Sequence, residues 1–126
     1  MTSVVTVHGH EALSKALKEK SSNAYVVFYA DPDENSMSWC PDCRNADPVL
    51  RRHLSRLPSD AQVIFCYVGD RPQWKDQNNS FRTDPVYKLT SVPTVINMAT
   101  KDRLVEGQCI EDKLVKTFFS NGEDSV

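Results

Sequence analysis

The apolar run AYVVFYA (residues 24–30) and the pentapeptide Trp39-Cys40-Pro41-Asp42-Cys43 that follows it decide the fold. A nearly continuous apolar run suits a strand buried on both faces of a parallel or mixed sheet. Residues 31–38 (DPDENSMS) are polar, contain a proline and read as a loop. The second segment opens a helix over 44–57, where Val49, Leu50, Leu54 and Leu57 recur at helical intervals. Pro41 falls in its first turn, where a missing N–H costs nothing. Pro48 falls inside the pattern and predicts a kink.

Upstream, residues 4–7 (VVTV) read as a strand, and 10–20 carry Ala12, Leu13, Ala16 and Leu17 at helical spacing. Downstream, 61–68 (AQVIFCYV) predict another buried strand. The long polar stretch 69–91 predicts one or two short helices, one starting at Asp84-Pro85. Residues 93–99 and 103–107 read as a hairpin around Thr100-Lys101-Asp102. The last helix covers about 109–119, with Leu114, Val115, Phe118 and Phe119, and 121–126 form a polar tail. Helix-linked strands closed by a hairpin and a last helix imply an α/β fold, a mixed sheet of about five strands flanked by about four helices. The Cys-x-x-Cys then lies at the carboxyl end of a central strand, where sites form in open α/β sheets.

The chain has 126 residues, which fits a single domain over 1–126. With 40% hydrophobic and 25% charged residues, the composition is globular. Fifteen basic against seventeen acidic side chains give a net charge of −2, which argues against a nucleic-acid or anionic-membrane partner. No apolar run approaches the roughly 20 residues that span a bilayer. Residues 1–20 lack the pattern of a signal peptide. A reducing, cytoplasmic compartment is therefore expected. In that setting a close pair among the four cysteines (Cys40, Cys43, Cys66, Cys109) points to redox chemistry or metal rather than to structural disulfides.

A cysteine at a helix N-terminus meets unsatisfied backbone N–H groups and the positive end of the helix dipole. Both favour thiolate, the attacking species in disulfide exchange. Cys40, expected to be the exposed member, is the candidate nucleophile, and Cys43, one turn in, the candidate resolving thiol. The Asp42 carboxylate opposes thiolate formation and tunes the pair. Trp39 is expected to shield one side and offer a contact surface. Zinc needs about four ligands, typically two close pairs. Here there is one pair, and His8, His10 and His53 make no ligand-spaced partner, so no metal site is expected. Pro93, in Val92-Pro93-Thr94, opens a strand, where proline is tolerated. A cis bond there would bring backbone close to the cysteines, but only about 5% of X–Pro bonds are cis.

Trp-Cys-x-x-Cys after a buried strand, a proline at position 48 and Val-Pro-Thr before a hairpin resemble thioredoxins over nearly the whole chain. Ser38-Trp39-Cys40-Pro41-Asp42-Cys43, Val68-Gly69-Asp70-Arg71-Pro72-Gln73-Trp74-Lys75-Asp76 and Asn78-Asn79-x-Phe81-Arg82 resemble, more narrowly, the thioredoxin domain-containing protein 17 family. That resemblance implies a cytosolic dithiol–disulfide oxidoreductase with no bound cofactor, reset by NADPH through thioredoxin reductase. It implies cystine, some protein disulfides, nitrosothiols, persulfides and peroxide as substrates, a Cys40–Cys43 disulfide as the oxidised form, and a cis Val92–Pro93 bond. Trp39, Val92 and Pro93 are the implied substrate-contacting residues, beside Pro41 and Asp42 of the motif.

Two departures from ordinary thioredoxins stand out. The middle residues are Pro-Asp rather than Gly-Pro, and 24–30 contain no Asp to take the proton of the second cysteine. Tyr29, Asp42 or water are the candidates for that role. Segment 31–47 holds five acids (Asp31, Asp33, Glu34, Asp42, Asp47) against Arg44, which predicts an acidic rim unfavourable to anions such as glutathione. Cys66 reads as a core residue, and Cys109 as one whose pKa a helix start could lower. Trp74 reads as a core anchor, and Arg51, Arg52 and Arg56 as a solvated face. A monomer is the simplest expectation. The alternatives are a glutathione-coupled, glutaredoxin-like reductase, which Pro41 favours, and a binding module that docks partners by its Trp39–Pro93 surface.

Overall fold

Six consecutive buried residues, Ala24–Tyr29, form strand β2 at the centre of the sheet in the computed structural model, which describes residues 3–19, 23–35 and 37–120. The remaining strands are β1 (Ser3–His8), β3 (Gln62–Tyr67), β4 (Thr94–Asn97) and β5 (Arg103–Val105). Their spatial order is β1-β3-β2-β4-β5. β3 runs parallel to both β1 and β2, while β4 pairs antiparallel with β2, and β5 with β4. Burial follows position in the sheet. β2, flanked by strands and covered on both faces, is apolar throughout, whereas edge strand β1 alternates exposed and half-buried residues.

Helix α1 (His10–Lys18) ends short of the expected Lys20, which lies outside the described residues, as does the 121–126 tail. Helix α2 (Pro41–Arg52) runs through Pro48 on its exposed side, and a 3-10 turn, Leu54–Arg56, follows it. Stretch 69–91 holds two short helices, α3 (Arg71–Lys75) and α4 (Ser80–Thr83). Asp84-Pro85 does not start the second. Asp84 caps its C-terminus, and the N-terminal cap is Asn79, whose side chain accepts from the N–H groups of Phe81 and Arg82. Asp70 and Gln73 form a capping box around α3. The last helix, α5 (Asp112–Ser120), starts later than the apolar spacing predicts, because residues Glu106–Ile110 form a 3-10 turn instead.

The core lies on both faces of the sheet: on the side of α2, Tyr29 bonds Asp47 and Phe65 lies beneath Arg51, while Val26 and Phe28 point to the opposite face. Phe28 meets Phe81 and Tyr87 edge-on, at ring-centre distances of 5.9 and 5.4 Å, which seats the α3–α4 segment on the sheet.

Candidate functional site

Chain geometry puts the two cysteines in different environments. Cys40 is the N-cap of α2, with extended backbone angles, and its carbonyl accepts from the Arg44 N–H. Pro41 occupies the first helical turn. Cys43, one turn in, belongs to the buried face. Both thiols are largely enclosed, Cys40 8% and Cys43 1% exposed, so Cys40 is less open than its position suggests. All four cysteines are free thiols.

The electrostatics divide the pair further. Hydrogen bonding from the Cys43 thiol, opposed by desolvation and helped by the Cys43 and Asp42 backbone N–H groups, pulls the Cys40 pKa down to about 6. The Asp42 charge acts the other way and raises it. Cys43, which gives that hydrogen bond and is the deeper thiol, is pushed well above the ordinary thiol value. Cys40 also lies 3.6 Å from the Val92 carbonyl oxygen, and the Val92–Pro93 peptide bond is cis.

Cys40 opens on a cavity of about 330 Å³ whose walls include Trp39, Asp42, Trp74, Ser91 and Val92. Trp39 is fixed from its far side. Its Nε1–H donates to the Gly69 carbonyl at 3.2 Å, and the Arg71 guanidinium lies 4.7 Å above its ring. Trp74 is both core and wall, only 6% exposed, with the Arg82 guanidinium 3.9 Å over its ring. Lys75, Arg82 and Glu106 add charges to the same cavity. Residue spacing does not reveal them, because Lys75 and Arg82 come from the α3–α4 segment and Glu106 from the turn after β5, each 30 or more positions from Cys40. The Trp-Lys and Phe-Arg pairs of that segment were the available signal.

A second cavity, about 220 Å³, opens on the other side of the pair, onto Cys43. Tyr29, Asp47, Arg51 and Tyr67 line it. The Tyr29 hydroxyl donates to Asp47 Oδ1 at 2.9 Å, and Arg51 Nε donates to the same oxygen at 2.9 Å. Burial and the adjacent Asp47 charge hold the Tyr29 phenol far above its ordinary pKa, so it stays a donor and does not serve as a proton acceptor. Asp42 lies on the Cys40 side and does not line this cavity.

Several other expectations change. The carboxylates of Asp31 and Asp33 tie backbone, accepting from Gly69 N–H, and from Asn35 and Met37 N–H, respectively. They are loop staples as well as charges. Arg51 and Arg52 are exposed as expected and Arg56 half-buried, and each also has a partner: Arg51 lies 4.2 Å over the Phe65 ring, Arg52 pairs with Asp112, and Arg56 donates to His53 Nδ1. His10 pairs with Asp84 Oδ2 at 2.8 Å, 74 residues away, and His8 stacks on Tyr67. Cys109 sits in the 3-10 turn, fully buried, and burial pushes its pKa up to about 12 rather than down. Cys66 is raised to about 12 by burial in the same way. Among the described residues no group of three or more His, Cys, Asp or Glu side chains is placed to hold a metal ion. No helix among them is long and apolar enough to cross a membrane.

Strand order β1-β3-β2-β4-β5, with a Cys-x-x-Cys capping the helix after β2 and a cis proline opening β4, is the arrangement of a thioredoxin-fold protein. The family model described as thioredoxin domain-containing protein 17-like, thioredoxin domain, matches residues 6–121, and the chain belongs to that family. It is 44% identical over 117 residues to thioredoxin domain-containing protein 17 of Danio rerio, covering 92% of this chain and 94% of that protein. Identity to the Homo sapiens protein of the same name is 38% over 117 residues, with the same coverage. Similarity extends to the thioredoxin-like protein Clot of Arabidopsis thaliana, at 38% over 93 residues, covering 71% of this chain and 69% of that one. Membership supports a thioredoxin-type redox role.

Proposed function

We propose that this chain is a cytoplasmic dithiol–disulfide reductase that acts as a monomer through Cys40 and Cys43. The observation that carries the reading is the asymmetry of the pair: one thiol with a lowered pKa opening on a cavity, the other buried behind it with a raised one. The Cys40 thiolate attacks a substrate disulfide, forming a Cys40–substrate disulfide and releasing one substrate thiolate. Cys43 loses its proton and attacks Cys40 Sγ. The Cys40–Cys43 disulfide forms, the mixed disulfide breaks, and the second substrate thiolate leaves. Two electrons have passed to the substrate, and NADPH through thioredoxin reductase returns them. Trp39 and Val92, which precedes the cis Pro93, are the walls against which a substrate disulfide lies; Pro93 itself is buried behind Val92 and does not line the cavity. Small disulfides such as cystine suit a cavity of about 330 Å³, together with exposed protein disulfides. The same thiolate chemistry extends to nitrosothiols, persulfides and peroxide.

The test is NADPH oxidation with thioredoxin reductase and L-cystine, comparing wild type with Cys40→Ser. Turnover is expected in the wild type and absent from the variant. Turnover only when glutathione and glutathione reductase replace thioredoxin reductase would make the protein glutaredoxin-like instead. A wild type inactive in both assays would leave the fold as a binding module.

A further inference from the structure

Cys43 must lose a proton to act, and its surroundings oppose this. It is 1% exposed, and its hydrogen bond to Cys40, then burial, disfavour its thiolate. The strand preceding it supplies no carboxylate, since residues 24–30 are apolar or tyrosine. Yet the 220 Å³ cavity that reaches Cys43 has a carboxylate in its wall, Asp47. Asp47 lies four residues after Cys43 on α2, so both side chains project from one side of the helix. A cavity of that size has room for bridging water.

We propose that Asp47, held by Tyr29 and Arg51, is the acceptor of the Cys43 proton, through water in this cavity, when Cys43 attacks the Cys40 mixed disulfide. The inference rests on the dithiol cycle proposed above. Tyr29 and Arg51 both donate to Oδ1, which pins the carboxylate against β2 and leaves Oδ2 to take the proton. The acceptor is connected to solvent. Asp47 is 39% exposed, so the proton passes on to bulk water or returns to the departing substrate thiolate. The step balances: the Cys43 S–H bond breaks, Asp47 gains the proton, the Cys43–Cys40 S–S bond forms and the substrate thiolate leaves with the electron pair of the old S–S bond. The titratable and charged groups around this carboxylate are Tyr29 from β2, Tyr67 from β3, and Cys43, Arg44 and Arg51 from α2. Tyr29 and Tyr67 both have raised pKa values, first because of burial, and stay neutral near pH 7. Asp42 faces the other cavity, on the Cys40 side, and is not suited to the role.

Stopped-flow reaction of the reduced protein with 5,5′-dithiobis(2-nitrobenzoate) separates the two steps. The first thionitrobenzoate released reports Cys40 attack, and the second reports resolution by Cys43. In Asp47→Asn the ratio of second-phase to first-phase rate is expected to fall about tenfold or more at pH 7, with substantial recovery in Asp47→Glu. Between about pH 6 and pH 8 the wild-type second phase should depend only weakly on pH, because the proton goes to a group held beside Cys43 rather than to hydroxide. In Asp47→Asn it should climb about tenfold per pH unit, because hydroxide must then remove the proton. A merely structural role would lower the rate without changing that slope. An unchanged ratio in a folded Asp47→Asn, checked by near-UV circular dichroism, overturns the proposal. So does an unchanged slope. Should wild type give no second release at all, with Cys43→Ser behaving identically, the dithiol cycle itself fails and the proposal with it.

Discussion

The Cys40 thiol lies 3.6 Å from the carbonyl oxygen of Val92, 52 residues away in the chain, and so the candidate nucleophile rests against the residue before the cis proline. The carbonyl accepts only from the protonated thiol, whereas the Cys43 thiol and the N–H groups of α2 favour the thiolate, and the second set prevails.

This balance predicts a pH profile. The Cys40 pKa falls from 9.0 to about 6, so its thiolate predominates above pH 6 and is lost as pH drops through that value. Alkylation of the reduced protein by iodoacetamide should be half-maximal near pH 6 and level above it. A midpoint near 9 would contradict the assignment.

Burial predicts selectivity among the thiols. Burial raises Cys66 and Cys109 to about 12, and Cys43 is raised by its hydrogen bond to Cys40 and then by burial. Brief iodoacetamide treatment at pH 7 should give one adduct, on Cys40, by peptide mass spectrometry. Comparable labelling of Cys109 would mean that its 3-10 turn opens readily.

Gly69 predicts a coupling between backbone and site. Its φ of +120° disfavours any side chain, and a Cβ there would come 2.9 Å from Gln73 Cβ and 2.8 Å from Gln73 Oε1. That oxygen accepts the Asp70 N–H of the α3 capping box, while the Gly69 carbonyl holds Trp39. Gly69→Ala should cost about 1 kcal/mol or more in urea unfolding. It should also raise the KM for a disulfide substrate by loosening Trp39. An unchanged KM would show that Trp39 keeps its place without this anchor.

Asn79 is the knot of the α3–α4 segment. Its oxygen accepts from Phe81 and Arg82 N–H, and its amide donates to the carbonyls of Trp74 and Asp76. Asn79→Ala should destabilise the fold by about 1–2 kcal/mol by urea denaturation. Phe28→Ala, which empties the seat beneath the same segment, should cost about 3–5 kcal/mol. If both variants unfold at the wild-type urea midpoint, the segment contributes little to the native state.

Local periodicity and residue chemistry were enough to read the buried strand at 24–30, the helix opened by Pro41 and the dithiol at its N-terminus. These depend on interactions within a few residues: side-chain alternation, a missing N–H, a helix end. The same local logic misplaced the start of α5, since the apolar spacing of Cys109 is satisfied equally by a 3-10 turn that buries that one side chain. It also put a helix start at Asp84-Pro85, where the Asp84 backbone N–H ends the preceding helix and its carboxylate accepts from the Val86 and Tyr87 N–H groups and pairs with His10 instead.

Tertiary structure alone decided which distant groups meet. The apposition of Cys40 and Val92, the fixing of Trp39 by Gly69 and Arg71, and the Tyr29–Asp47–Arg51 cluster beside Cys43 each join separate elements. No spacing along the chain encodes such contacts, because they arise from how helices and loops seat on the twisted sheet. The residue types needed for thiol chemistry are therefore written in the chain, while the distances that set each thiol's proton affinity come from packing between elements.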